Sequence, residues 1–220
     1  AVAERLATLP QRPERSGLIA KATMLRQAVA AKKTPADVKE QAVRLASDLL
    51  AAYPVSLAPQ TAPDLQRGKV LYAANCASCH GSTGDGRGPD AKGLDPAPIA
   101  FRDADRARQR SLFGIYQVLE NGVDGTAMQS FADLPAGDRW DLAFYAGTFA
   151  FADVARGKRL WETEESLRQR FRDLAALTRL TPAELAGQIG KDKADDLTAF
   201  LRANPAAVMQ AAVPLSSLAI

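Results

Sequence analysis

The sequence predicts an all-α protein whose helices fall in three segments, residues 1–53, 64–150 and 151–220, with a linker over 54–63. Three observations predict it. Alanine is abundant and β-branched runs are few, which favours helix. Apolar residues recur three and four positions apart over most of the chain. Proline and glycine cluster between those stretches and seldom within them. With 220 residues, 47% of them hydrophobic and 24% charged, the chain has the length and composition to bury a core. No apolar run approaches the ~20 residues of a membrane-spanning helix.

Leu18, Ala22, Leu25 and Val29 mark one face of a helix over 14–31. Thr34-Pro35-Ala36-Asp37 reads as the next helix start: Thr34 caps, Pro35 suits the first turn, and Asp37 forms a shortened capping box. Val38, Ala42, Leu45 and Leu49 continue that helix to Tyr53-Pro54, and the short connection makes the two helices an antiparallel pair. Three prolines within 54–63 mark the linker.

Asp64 caps a helix from Leu65 to Asn75. Gly68 inside it lowers helix propensity, so either another element packs there closely or the glycine is merely tolerated. The aromatic helix from Asp138 to Phe149, with Trp140, Phe144 and Tyr145, is the candidate neighbour. Ser111 to Glu120 is a further helix. Beyond residue 151 the pattern returns to helix: charges alternate with Leu160, Leu167, Leu174 and Leu177 from Gly157 to Leu180. Thr181-Pro182-Ala183-Glu184 is a full capping box, and Ala194 to Arg202 forms a last helix. The apolar tail, Val213 to Ile220, stops without a capping signal, as a cut chain does.

The chemistry concentrates at Cys76-Ala77-Ser78-Cys79-His80. Two thiols three residues apart, followed by an imidazole, form the covalent attachment signature of a c-type haem. Cys76 and Cys79 can each add to one vinyl group, and His80 can then present a nitrogen to the iron. These are the chain's two cysteines and its single histidine, too few for a four-ligand zinc site. A thioredoxin-like dithiol requires a βαβ setting that the pattern lacks.

The second axial ligand must come from elsewhere, and with one histidine, bis-His ligation within the chain is excluded. Met128 lies in a glycine-punctuated loop, Asn121 to Phe131, between two apolar helices, and is the candidate. Met24 and Met209 sit in apolar patterns and are read as packing residues. The residues expected to hold one covalently attached haem c are therefore Cys76, Cys79, His80 and Met128, with His80 and Met128 on the metal and no catalytic residue. Between His80 and Phe101 five glycines and three prolines make a long loop around the proximal face. A carbonyl near Pro96 or Pro98 can orient His80. Leu94 and Phe101 are candidate edge packers. One of Arg102, Arg106, Arg108 and Arg110 can meet a haem propionate. Glu162 and Glu165 form an E-x-x-E pair, a weak iron site and more simply a solvated helix face.

The sequence pI near 9.0 does not make a nucleic-acid binder. Residues 1–63 carry 9 basic and 5 acidic side chains, residues 64–150 carry 9 and 11, and residues 151–220 carry 10 and 9. No basic stripe interleaved with aromatics appears.

From Leu65 to Thr148 the pattern resembles class I c-type cytochromes. It does so through the attachment motif with Gly81, Gly84-Asp-Gly-Arg-Gly-Pro89, Leu94-Asp-Pro-Ala-Pro98, Gly125-Thr-Ala-Met128 and Trp140-Asp-Leu-Ala-Phe-Tyr145. More narrowly, Ser111-Leu-Phe-Gly-Ile-Tyr116, Asn121-Gly-Val-Asp-Gly-Thr-Ala-Met128, Leu49-Leu-Ala-Ala-Tyr53-Pro54 and Thr181-Pro-Ala-Glu184 resemble the cytochrome region fused to bacterial high-affinity iron permeases. That resemblance implies a class I cytochrome c fold flanked by helical segments, electron transfer linked to ferrous and ferric iron during uptake, and a membrane permease portion in the full protein. The chain has neither permease spans nor an Arg-Glu-x-x-Glu transport motif. Covalent haem is installed outside the bacterial inner membrane, so a periplasmic location and a missing export signal are expected. A redox partner protein is implied. The competing readings are a free-standing carrier between respiratory complexes, an iron-binding or docking module with the haem as sensor, and an enzyme acting at the haem. The last is disfavoured if Met128 closes the sixth position.

Overall fold

A computed structural model describes residues 2–211, which divide into two compact units, 1–56 and the remainder of the chain. The apolar tail from Val213 onward lies outside the described residues. The first unit holds α1 (Val2–Thr8), α2 (Arg15–Ala30) and α3 (Pro35–Ala52). Leu6, Leu18, Ala22, Leu45 and Ala52 form its core. Thr34 caps α3 by accepting from the Asp37 N–H at 3.2 Å. The Tyr53 hydroxyl ties the end of α3 to the Pro10 carbonyl at 2.7 Å. The buried face of α2 continues through Ala28, while Val29 is exposed. Met24 (61% exposed) and Met209 (39%) are not the packing residues their sequence setting suggests, because each falls outside the buried stripe of its helix.

The larger unit is all-α, with no strand among the described residues. It contains α4 (Leu65–Asn75), α5 (Ala77–His80), α6 (Ala104–Arg108), α7 (Leu112–Asn121) and α8 (Ala136–Thr148). It continues with α9 (Val154–Thr163), α10 (Glu165–Arg170), α11 (Leu174–Arg179), α12 (Pro182–Ile189), α13 (Lys191–Ala203) and α14 (Ala206–Ala211). This is the cytochrome c arrangement with helical flanks. One core serves both parts: Leu112, Trp140 and Phe144 belong to the same buried cluster as Trp161, Phe171, Leu197 and Leu201. Thr178 reaches back to donate to the Leu57 carbonyl at 2.7 Å. The stretch from Gly157 to Leu180 is three short helices, not one, because the α9 ladder stops at Glu164 and Asp173 caps α11 anew.

Gly68 is a close-packing residue. A Cβ there would collide with the Asp141 carbonyl oxygen and sit 2.9 Å from the Tyr145 Cβ, so the missing side chain lets α4 cross α8 at backbone contact. Asp64 caps α4 through the Gln66 and Arg67 N–H groups, and Arg67 pairs with Asp138 at 2.7 Å.

The same crossing occurs a second time. A Cβ on Gly157 of α9 would collide with the Asp196 carbonyl of α13 and lie 2.7 Å from the Phe200 Cβ. Asp153 caps α9, and Arg156 pairs with Asp196 at 3.2 Å. The sequences agree: Asp64-Leu-Gln-Arg-Gly68-Lys-Val-Leu-Tyr72 parallels Asp153-Val-Ala-Arg-Gly157-Lys-Arg-Leu-Trp161, and Asp141-Leu-Ala-Phe-Tyr145 parallels Asp196-Leu-Thr-Ala-Phe200. Counting on from the first alignment, Cys76, Cys79 and His80 fall at Glu165, Arg168 and Gln169. The second helix pair repeats the scaffold without the attachment residues.

Candidate haem site

Cys76 ends α4, and the turn it starts carries Cys79 and His80 on α5. The His80 N–H bonds to the Cys76 carbonyl at 2.8 Å, so both thiols and the imidazole are fixed by one helical turn. Both cysteines are free thiols. Burial pushes the Cys76 thiol up to about 12, helped by neighbouring Cys79, and it stays protonated at neutral pH.

The glycine-rich loop folds back over this turn. Gly86 N–H donates to the His80 carbonyl at 2.8 Å and Gly88 N–H to the Cys79 carbonyl at 3.1 Å. Gly88 has no room for a Cβ, which would collide with the Ser78 and Ala77 carbonyls. The Tyr72 hydroxyl donates to the Gly81 carbonyl at 2.8 Å. His80 Nδ1 lies 3.0 Å from the Ile99 carbonyl oxygen. The orienting acceptor is thus the residue after Pro98. That bond fixes Nδ1 as the N–H and leaves Nε2 as the lone-pair nitrogen. Phe101 packs on the imidazole, ring centroids 4.6 Å apart.

These groups line a cavity of about 470 Å3, within the range of cofactor pockets. Cys76, Cys79, His80 and Met128 all lie in its wall, as do Leu94 and Phe101. Met24 and Met209 do not. The Met128 loop is tied at both ends. Val123 N–H donates to the Met128 carbonyl at 2.9 Å, and Thr126 Oγ1 accepts from the Met128 N–H at 3.1 Å. Gly122, at φ +67°, takes a backbone conformation side chains disfavour, and a Cβ there would stand 2.7 Å from the Met128 carbonyl. Beyond the loop, buried Arg139 gathers the chain. It donates to the Ala132 carbonyl at 2.9 Å, the Leu134 carbonyl, the Tyr116 hydroxyl at 3.1 Å and Glu120 at 2.9 Å. Arg139→Met would orphan both carbonyls and leave Glu120 unpaired. It is expected to cost about 2–4 kcal/mol, measured by denaturant unfolding.

Of the four sequence-stretch arginines, Arg106 and Arg110 line the cavity. Arg108 is instead bound to Asp195 at 2.6 Å and Asp105 at 2.6 Å, and Arg102 lies away from the wall. A third lining arginine, Arg202 on α13, was not foreseen. Among the described residues the cavity wall holds these three arginines and no lysine, aspartate or glutamate. Glu162 and Glu165 take cations of their own helices, Lys158 at 3.7 Å and Arg168 at 2.6 Å. Among the described residues no group of three or more His, Cys, Asp or Glu is placed to hold a metal ion.

The donor set fits a covalently held haem: two thiols and an imidazole on one turn, a thioether in the same wall, an apolar interior and cationic side chains for carboxylates. The fold and site define a c-type cytochrome domain. Residues 63–145 match the family model described as cytochrome c oxidase, cbb3-type, subunit III. No curated protein and no solved structure gives a match. A domain of this class carries covalently bound haem c, transfers electrons through it and serves a redox partner. The match ends before α9, so the second Gly–Asp crossing and Arg202 lie outside it.

Proposed function

We propose that the protein is a periplasmic mono-haem electron-transfer cytochrome. Cys76 and Cys79 attach the porphyrin through thioethers, and His80 Nε2 and Met128 sulfur ligate the iron. The observation that carries this reading is the His80 bond to Ile99, which commits Nδ1 and frees Nε2 in a cavity whose wall also contains Met128. The single Cys-x-x-Cys-His motif supports one haem, and the second helix pair carries Glu165, Arg168 and Gln169 at the equivalent positions. A bound haem supplies a one-electron iron couple. The chain's part is to hold it in an apolar, tightly braced pocket, which keeps the rearrangement on electron transfer small. With His80 and Met128 both holding the iron, no position would remain for a substrate, which favours a carrier over an enzyme.

The link to iron uptake rests on the sequence likeness around Ser111–Tyr116 and Asn121–Met128. On that reading ferrous iron, or a permease portion of the same protein, would exchange electrons with the haem. No helix among the described residues is long and apolar enough to cross a membrane. A carrier between respiratory complexes is the second reading, favoured by the family matched over 63–145. Anaerobic mixing of oxidised protein with ferrous iron, followed in the haem absorption bands, separates them. Fast, saturable reduction supports the iron-linked reading. No reduction, with the haem still reducible by dithionite, supports the respiratory one.

A further inference from the structure

We propose that Arg202 is the buried anchor of a haem propionate, with Arg110 beside it, so that helix α13 completes the haem site that residues 63–145 begin. This rests on the haem reading above.

Arg202 is 3% exposed and lines the haem cavity. Its Nη1 donates to the Gly147 carbonyl at 3.1 Å and its Nη2 to the Arg110 carbonyl at 3.0 Å. Its guanidinium carbon stands 5.4 Å from the Phe151 ring centre. Among the described residues it has no carboxylate partner, which sets it apart from buried Arg139 and partly buried Arg108. Arg139 has Glu120, and Arg108 has Asp195. Two backbone carbonyls and a ring orient a guanidinium but do not neutralise it, and a buried unpaired cation is costly. Desolvation pulls Arg202 down to about 10, which leaves it charged at neutral pH. An anion delivered into the cavity would remove that cost.

Among the described residues the charged side chains in the wall belong to Arg106, Arg110 and Arg202, all positive, and Arg106 and Arg110 enter none of the ion pairs formed by their neighbours Asp105, Arg108 and Asp195. Haem is a flat apolar ligand with two carboxylates, which matches a largely apolar cavity with arginines in its wall. A guanidinium fork suits a carboxylate. Gly147 lets the helices pack closely here: a Cβ there would lie 2.8 Å from Leu112 Cδ2 and 3.3 Å from Arg202 Cδ. In the repeated helix pair, Gly147 and Arg202 occupy equivalent positions, six residues after Asp141 and Asp196. One copy has given up its side chain where the other inserts a cation.

The test compares wild-type, Arg202→Gln and Arg202→Lys holoprotein, with covalent haem verified in each by the alkaline pyridine spectrum. Two quantities are read: the midpoint potential and the propionate bending band in resonance Raman. Loss of the cation leaves the propionate charge uncompensated and favours ferric haem, so Arg202→Gln is expected to lower the potential and shift the band. Arg202→Lys restores most of the potential but not the band, because it keeps the charge and loses the fork. A merely structural Arg202 would lower the melting temperature with both readouts unchanged, and that result overturns the proposal. If Arg202→Gln fails to fold, the band in Arg202→Lys decides alone: a shift supports the anchor, and an unshifted band overturns it. Wild-type protein without covalent haem would instead refute the underlying haem reading.

Discussion

Met128→Ala is expected to abolish the sulfur–iron absorption band of the oxidised protein and to lower the midpoint potential more than any other single substitution. The argument starts from chemistry. A thioether is a neutral, soft ligand that favours ferrous over ferric iron, and axial ligation spans potentials over roughly 0.8 V across haem proteins. With one histidine in the chain, no second imidazole can replace the sulfur. Removing the thioether leaves water or an open position, so the reduced variant is also expected to bind carbon monoxide quickly while the wild type does not. The loop should survive, because the Val123–Met128 and Thr126–Met128 bonds use the backbone at 128. Met24 and Met209 lie outside the cavity wall, and their alanine variants should leave band and potential unchanged. A Met128→Ala spectrum identical to wild type would remove Met128 from the site.

Gly157→Val is expected to destabilise the protein at the upper end of the roughly 1–3 kcal/mol typical of overpacking, lowering the melting temperature by about 6–12 °C. The colliding atom is the Asp196 carbonyl oxygen, which belongs to a helix backbone and cannot swing aside as a side chain would. α9 and α13 would have to part, exposing Trp161 and Phe200, which face one another at 6.4 Å. Gly68→Val should do the same to α4 and α8, where Tyr72 and Tyr145 meet at 5.5 Å. The two differ in consequence. Parting α4 from α8 disturbs the helix that ends in Cys76, whereas parting α9 from α13 moves Arg202. Gly137 supplies the control, since a Cβ there meets nothing within 4 Å. Thermal unfolding of the three variants measures the effect. Gly157→Val melting with wild type would show that the close crossing is not required.

The parts legible in the sequence are those encoded locally. The attachment motif is five consecutive residues, and a single helical turn is enough to make it a site. Helix starts were legible because a cap is a short-range contact. Thr34, Asp64 and Thr181 all cap as their spacing predicts, and Thr181 with Glu184 closes the reciprocal box that shorter Asp37 leaves half made. Met128 stood out because a methionine in a glycine loop has no helical face to serve. Contacts set by tertiary packing were not legible in this way. The His80 acceptor depends on how the loop from Gly81 to Phe101 closes, and the chain delivers Ile99. Arg202 sits in an unremarkable amphipathic helix, 122 residues from His80. One signal for it was present: Arg-Gly-Lys occurs at 67–69 and again at 156–158, each preceded by a capping aspartate and followed by leucine and an aromatic. The partner helices carry a matching pair, Asp141-Leu and Asp196-Leu, and aligning those puts Arg202 opposite Gly147, in the wall of the cavity.

The central claim is one haem held covalently by Cys76 and Cys79. Intact mass measured under denaturing conditions, on protein matured in an exporting, haem-attaching host, tests it most directly. The expected mass is that of the chain plus one haem, with the addition confined on digestion to the peptide containing Cys76 and Cys79, and lost in Cys76→Ser, Cys79→Ser double-variant protein. A mass equal to the bare chain, or one carrying haem that acid solvent extracts, would contradict the account.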